Sequence, residues 1–120
     1  DIGTAITFDV VDESSVYQGG AIIPGIGISS EALFLKTAKL PRVELFKPER
    51  IVAKNTMDNI RVGMVIGYIG LIEKLIDEVV KEMNFDVSKL KVVATGGYSS
   101  LISKDIDKIN IIDKYKLFYH

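Results

Sequence analysis

The first nine residues, Asp-Ile-Gly-Thr-Ala-Ile-Thr-Phe-Asp, are the strongest chemical signal in the chain. Read as a strand, they place Asp1, Gly3, Ala5, Thr7 and Asp9 on one face, and Ile2, Ile6, Phe8 and Val10 on the other. One side is then apolar and packable. The other carries two carboxylates, a hydroxyl, and two residues small enough for a ligand to reach the backbone. That combination suits a nucleotide-phosphate site: Gly3 offers its amide, Thr4 and Thr7 offer hydroxyls, and a carboxylate holds a neutralising cation. Thr4 falls on the apolar face by parity, so it acts where the strand turns out or through its backbone. The alternative is an ordinary edge hairpin whose polar residues face water.

The elements that must position these residues follow from the pattern of the chain. Ile2 to Val11 reads as a strand, Asp12-Glu13-Ser14-Ser15 as a polar turn, and Val16 to Ile23 as the returning strand. Gly19-Gly20 marks a bulge or a close approach to the backbone. Pro24-Gly25 suits a type II turn. Ser29 or Ser30 caps a helix through Leu35 to about Thr37. Pro41 and Pro48 break the chain on either side of an extended Val43 to Phe46. Asn55 or Thr56 caps a long helix to about Asn84, with Asp58 in its first turn. Ile72, Leu75, Ile76, Val79, Val80 and Met83 recur at three and four, the period of an amphipathic helix. A strand over Lys91 to Thr95, a Gly96-Gly97 turn, a short helix from Tyr98 and a strand over Ile109 to Ile112 complete the order. An α/β layered domain follows, with helices packed on a mostly buried sheet.

Composition narrows the function classes. The 120 residues suffice for one domain with a core, and 48% are apolar against 26% charged. A net charge of -1, with acids and bases interspersed, argues against a nucleic-acid or anionic-membrane surface. There is no cysteine, which excludes disulfide and thiolate chemistry and fits a cytoplasmic setting. The longest apolar run, Val62 to Ile72, falls short of the ~20 residues that span a bilayer, and Gly63, Gly67 and Gly70 interrupt it. A buried helix is expected there. The glycines imply either close packing against the sheet of the same lobe or a subunit interface. The abrupt opening in strand-like sequence, without an initiator Met, leads us to expect a piece of a longer protein.

Asp1 to Asp9 resembles the second phosphate motif of type III pantothenate kinases, Asp-x-Gly-Thr-Ala-x-Thr-x-Asp. The resemblance continues in order through Gly19-Gly20-Ala21-Ile22-Ile23-Pro24-Gly25, Thr37-Ala38-Lys39-Leu40-Pro41, Lys54-Asn55-Thr56 and Ala94-Thr95-Gly96-Gly97. It implies a ribonuclease-H-like, actin-like ATPase lobe with a mixed sheet and flanking helices, residues 1–120 forming the C-terminal lobe of a two-lobe kinase. It also implies ATP-dependent phosphorylation of pantothenate, the first step of coenzyme A synthesis. Carried over by position, Asp1 matches the aspartate that binds a monovalent cation (potassium, or ammonium), and Thr4 the threonine on the ATP phosphates. Thr56 matches the threonine that contacts pantothenate, and Gly96 and Gly97 the turn beside the adenosine. Magnesium would bridge the phosphates, and the enzyme would be a homodimer.

Thr56 has a rationale of its own, because unpaired amides at a helix start favour a carboxylate such as pantothenate carries. Simple capping by Asn55 and Thr56 is the alternative. Asp9 receives no assigned role. Lys36, Lys39 and Arg42 read as a solvated basic loop or an anion contact. His120 reads as a chain end or tag remnant.

The family's first phosphate loop and its Gly-Ala-Asp-Arg motif, which supplies the general base, do not occur in this sequence. Residues 114–120 are also shorter than the closing helix the resemblance implies. The isolated chain is therefore expected to lack kinase activity. Two competing classes are a non-catalytic actin-like module that binds nucleotide or a partner, and a different kinase of the same superfold.

Overall fold

The computed structural model describes residues 1–113; the readings made for residues 114–120, His120 included, lie outside them. Strands β1 (Ala5–Val11) and β2 (Tyr17–Pro24) form an antiparallel hairpin. Helix α1 (Ile26–Lys36) follows, and then a segment without regular structure to residue 55. Helix α2 (Thr56–Arg61), a π-helical turn (Val62–Ile66) and helix α3 (Gly67–Met83) run on without a break. A 3₁₀ turn (Val87–Lys89), strand β3 (Val93–Thr95), helix α4 (Ser99–Ser103) and strand β4 (Ile111–Asp113) complete the order. The α/β class expected from the pattern is the class observed.

The hairpin turn is fixed by Asp12, whose carboxylate accepts the Ser14 and Val16 amides at 2.9 and 3.0 Å, with Ser15 left-handed at φ 61°. Backbone bonds hold that carboxyl below the usual carboxylate range. Of the two readings of Gly19-Gly20, a bulge or a close approach, each holds at one end: the register shifts between Val10 and Val11, leaving Gln18 unpaired beside Gly19. What comes close to the backbone there is β1 itself, since a Cβ on Gly20 would lie 1.6 Å from the Phe8 carbonyl oxygen.

Two helical starts differ in kind. At the long helix, the Asn55 side-chain Oδ1 accepts the Asp58 amide at 2.9 Å, the cap that the sequence implies. Left-handed Asn84, at φ 51°, ends it as expected. The π turn at Val62–Ile66 was not foreseen, because one extra residue in a turn leaves no compositional trace. Helix α1 begins three residues before the expected serines, with Gly25 at its N-cap and no side-chain cap. Gly25 has φ -69°, which a type II turn does not allow at its third residue, so that reading is corrected too. Residues 43–46 form no ladder among the described residues. They are held instead by Arg61, which donates to the Glu44 carbonyl at 2.8 Å and lies 4.1 Å over the Phe46 ring.

The core is a sandwich of isoleucines. Ile69, Ile72 and Ile76 of α3 pack with Ile2, Ile6, Ile26, Val65, Ala94, Ile102 and Ile106. Each such side chain stabilises by about 2 kcal/mol through burial. Tyr68, 8% exposed, ties the long helix to the hairpin end: its hydroxyl donates to the Pro24 carbonyl at 2.7 Å and meets Ser29 Oγ at 2.6 Å. Tyr68→Phe is expected to cost about 1–2 kcal/mol by denaturant titration, because it orphans both partners. An unchanged midpoint would show that this tie contributes nothing.

In place of the single sheet expected, the described residues form two. The β1–β2 pair is antiparallel and the β3–β4 pair parallel. Residues 1 and 2 lie between them.

Candidate nucleotide-phosphate site

The opening residues do not continue β1 as a straight strand; they double back on it. Asp1 and Thr7 exchange two bonds, the amino group donating to the Thr7 carbonyl at 2.8 Å and the Thr7 amide to the Asp1 carbonyl at 3.0 Å. Ile2 bridges Ile6, and both side chains are buried. Burial of these two isoleucines against each other drives the reversal, and Gly3 and Thr4 form its tip.

This corrects the parity argument in three places. Asp1 now sits directly opposite Thr7 on a neighbouring strand rather than six residues along the same one. Thr4, expected on the apolar side, is exposed at the tip of the turn. The Gly3 amide, read as available, donates to the Ala5 carbonyl at 3.2 Å. The hydroxyl of Thr4 is what the tip presents.

Two other loops grip this turn. At the start of α1 the Gly25 amide donates to the Thr4 carbonyl at 3.1 Å, and a Cβ on Gly25 would lie 2.0 Å from that oxygen. Past β3, Gly96 at φ 104° lies against Asp1 and Ile2, where a Cβ would stand 2.5 Å from Asp1 Oδ1. The Ile2 amide donates to the Thr95 carbonyl at 2.6 Å, and the Tyr98 amide to the Ile2 carbonyl at 3.0 Å. Ser99 closes this loop on itself through its Oγ and amide to the Gly96 carbonyl. So the structure brings Asp1, Gly3 and Thr4 together with the distant Gly96 loop. Gly25 and Tyr98 were missed as members. The signal was present for Gly25, in the Pro-Gly-Ile-Gly spacing, but it was read as a turn.

Thr56 stands elsewhere, exposed as the first residue of α2, with Asn55 doing the capping. Arg42 of the basic loop is engaged within the chain, paired with Glu31 at 2.5 Å and 4.3 Å over the Phe34 ring. Gly63, Gly67 and Gly70 line an exposed helix face, where an added Cβ meets nothing within 4 Å. Among the described residues, then, they do not pack against a strand. No helix among the described residues is long and apolar enough to cross a membrane.

The carboxylate at the turn is that of Asp1, and the charge of Asp9 is felt at the Asp1 amino group. Asp1 Oδ1 lies between Gly3 and Gly96, and no group of three or more metal-ligating side chains occurs among the described residues. The Asp1 amino group is pushed below its ordinary value by burial, with the Asp9 charge partly opposing.

A sequence model of type III pantothenate kinases matches residues 1–78. The chain belongs to the type III pantothenate kinase family. It is 49% identical over 114 residues to a type III pantothenate kinase of Finegoldia magna, covering 95% of this chain and 44% of that protein. A second, from Persephonella marina, is 47% identical and likewise 44% covered. The chain thus spans less than half the length of these pantothenate kinases. Among solved structures it resembles a conserved Campylobacter jejuni protein assigned to the Baf family of transcriptional activators. That likeness has a TM-score of 0.63 at 25% identity, covering 93% of this chain and 48% of the other.

Proposed function

We propose that this chain is one lobe of a pantothenate kinase, in which the Gly3–Thr4 turn carries the phosphates of ATP. The observation that carries the reading is the convergence of two glycine-bearing loops on that turn, both close enough to exclude a side chain. Such a frame holds a hydroxyl and a carboxylate in fixed positions beside an open face, which is how phosphoryl transfer is served: by positioning and charge stabilisation.

In this reading the lobe has the ribonuclease-H-like, actin-like fold, and residues 1–120 are its C-terminal half. The remaining length of the enzyme supplies the general base. The pantothenate 4′-hydroxyl attacks the γ-phosphorus, ADP leaves, and the hydroxyl proton passes to that base. Thr4 and Thr7 hydrogen-bond the phosphates, while Gly96 and Gly97 leave room for the adenosine. Thr56 receives the pantothenate carboxylate.

The residues fit the cations unequally. One carboxylate at the turn suits a loosely held potassium or ammonium ion that offsets repulsion between Asp1 and triphosphate. Magnesium needs several oxygen ligands, so it arrives on the nucleotide. The open glycine face of the long helix supports a homodimer, and the absence of cysteine a cytoplasmic enzyme.

The name of the Campylobacter jejuni structure favours a second reading, a regulatory module. The near-neutral charge and the higher identity to kinases weigh toward the enzyme. Titrating ATP with magnesium and potassium into the isotope-labelled chain is expected to shift the amide signals of residues 3–7 and 96–97. The Thr4→Val variant should weaken that response about tenfold. The same chain should show no transfer of phosphate to pantothenate. Shifts centred away from the Gly3–Thr4 turn would remove the basis for the kinase reading.

A further inference from the structure

The hydroxyl of Tyr68 adds nothing to the packing of its ring, which phenylalanine would reproduce. On a side chain only 8% exposed, a hydroxyl costs free energy unless it is bonded, and this one has two short partners. It donates to the Pro24 carbonyl at 2.7 Å and lies 2.6 Å from Ser29 Oγ. A phenol carries one proton. With that proton on the Pro24 carbonyl, it is Ser29 that donates to the Tyr68 oxygen. The reverse arrangement would leave the Tyr68 and Pro24 oxygens facing each other with no proton between them.

The line of bonds continues beyond Pro24. The carbonyl that Tyr68 holds belongs to the same peptide unit as the Gly25 amide, and that amide donates to the Thr4 carbonyl at 3.1 Å. Ser29 closes the frame a second time, its amide donating to the Gly25 carbonyl at 2.9 Å. Four groups therefore stand in series: the Ser29 hydroxyl, the Tyr68 hydroxyl, the Pro24–Gly25 peptide and the Thr4 carbonyl. Each bond polarises the next, since a peptide whose carbonyl accepts a hydrogen bond offers a stronger amide donor. Among the described residues, the Gly25 amide makes the one hydrogen bond that reaches Thr4. Where Thr4 stands at the tip of its turn thus depends on that peptide, and the peptide on Tyr68. The long helix is shaped to suit: the π turn ends at Ile66, two residues before Tyr68, and its extra residue rotates α3 by about 100° against α2.

We propose that Tyr68 is a positioning residue for phosphoryl transfer, whose hydroxyl, through the Pro24–Gly25 peptide, sets the Gly3–Thr4 turn where nucleotide phosphates are received. The inference rests on the reading of that turn as the phosphate site. Tyr68 acts through the peptide, not on the phosphates.

The test uses the full chain with Tyr68→Phe, Ser29→Ala and, as a control of comparable stability cost in the same helix, Ile76→Val. Without nucleotide, the Gly25 amide proton signal should move upfield in Tyr68→Phe, and its exchange with solvent should quicken about fivefold. Ser29→Ala leaves the Pro24 bond in place and should move the same signal the same way by less. Ile76→Val should leave the signal where it is. With magnesium, potassium and ATP, Tyr68→Phe should need about fivefold more nucleotide to shift the Thr4 and Ala5 amides, and Ile76→Val no more than the parent chain. A Gly25 signal that stays put in Tyr68→Phe, or moves as far in Ile76→Val, would overturn the proposal. So would unaltered nucleotide affinity in Tyr68→Phe beside a parent chain that responds. Should Tyr68→Phe not fold, Ser29→Ala carries both readouts, and an unmoved Gly25 signal again overturns the proposal. A parent chain without any response at residues 3–7 would instead remove the phosphate reading, while the Gly25 signals still decide whether Tyr68 sets the turn.

Discussion

Gly96→Ala is expected to destabilise the chain by about 3–5 kcal/mol and to open the candidate phosphate site. Two costs combine. At φ 104° the backbone lies where L side chains rarely go, and the new Cβ stands 2.5 Å from Asp1 Oδ1 and 2.6 Å from the Ile2 carbonyl group. The carboxylate can swing away, but the Ile2 carbonyl cannot, because it accepts the Tyr98 amide. Relief requires the β3–α4 loop to leave residues 1 and 2, which breaks the bonds that seat Ile2 in the core. Gly97→Ala is the control, since its Cβ would meet nothing within 4 Å, and its effect should stay below about 1 kcal/mol. Denaturant midpoints for the two variants decide the matter. Equal midpoints would mean that the Gly96 loop does not pack on Asp1 and Ile2.

The opposite sign is expected on the long helix. Replacing Gly63, Gly67 and Gly70 together by alanine should raise the stability of the chain by about 2–3 kcal/mol. All three are exposed, their added methyl groups meet nothing, and none has a positive φ. Glycine in a helix interior costs backbone entropy that alanine does not, and here no packing among the described residues offsets it. A measured loss of stability in dilute solution would show that the helix face is covered. A gain in the monomer accompanied by weaker self-association would support the dimer proposed above, because the methyl groups would then hold two copies apart.

Much of this architecture was readable from residue types. The Asn55 cap, the helix end near Asn84, the period of Ile72 and Ile76, and the hairpin turn at Asp12 all rest on neighbours within about one helical or hairpin turn, where local chemistry decides conformation. The family, too, was legible from five ordered blocks. Less visible were the places where one segment's conformation depends on another's position. Helix α1 starts at Gly25 rather than at Ser29 because Gly25 must lie against the Thr4 carbonyl. No rule applied within residues 24–30 contains that contact.

The same division runs through the candidate site. Sequence by itself determined that carboxylate, hydroxyl and glycine were gathered in the first nine residues, that Gly96-Gly97 formed a turn, and that the chain was neither basic nor thiol-bearing. Only the tertiary structure decided that residues 1–4 fold back on β1, that Thr4 is exposed while the Gly3 amide is engaged, and that Gly25 and Gly96 close on the turn from both sides. The physical reason is that strand periodicity fixes which side chains share a face only while the backbone stays extended. Where the chain reverses is set by the burial of Ile2 against Ile6 and by carbonyl partners lying some twenty and ninety residues away.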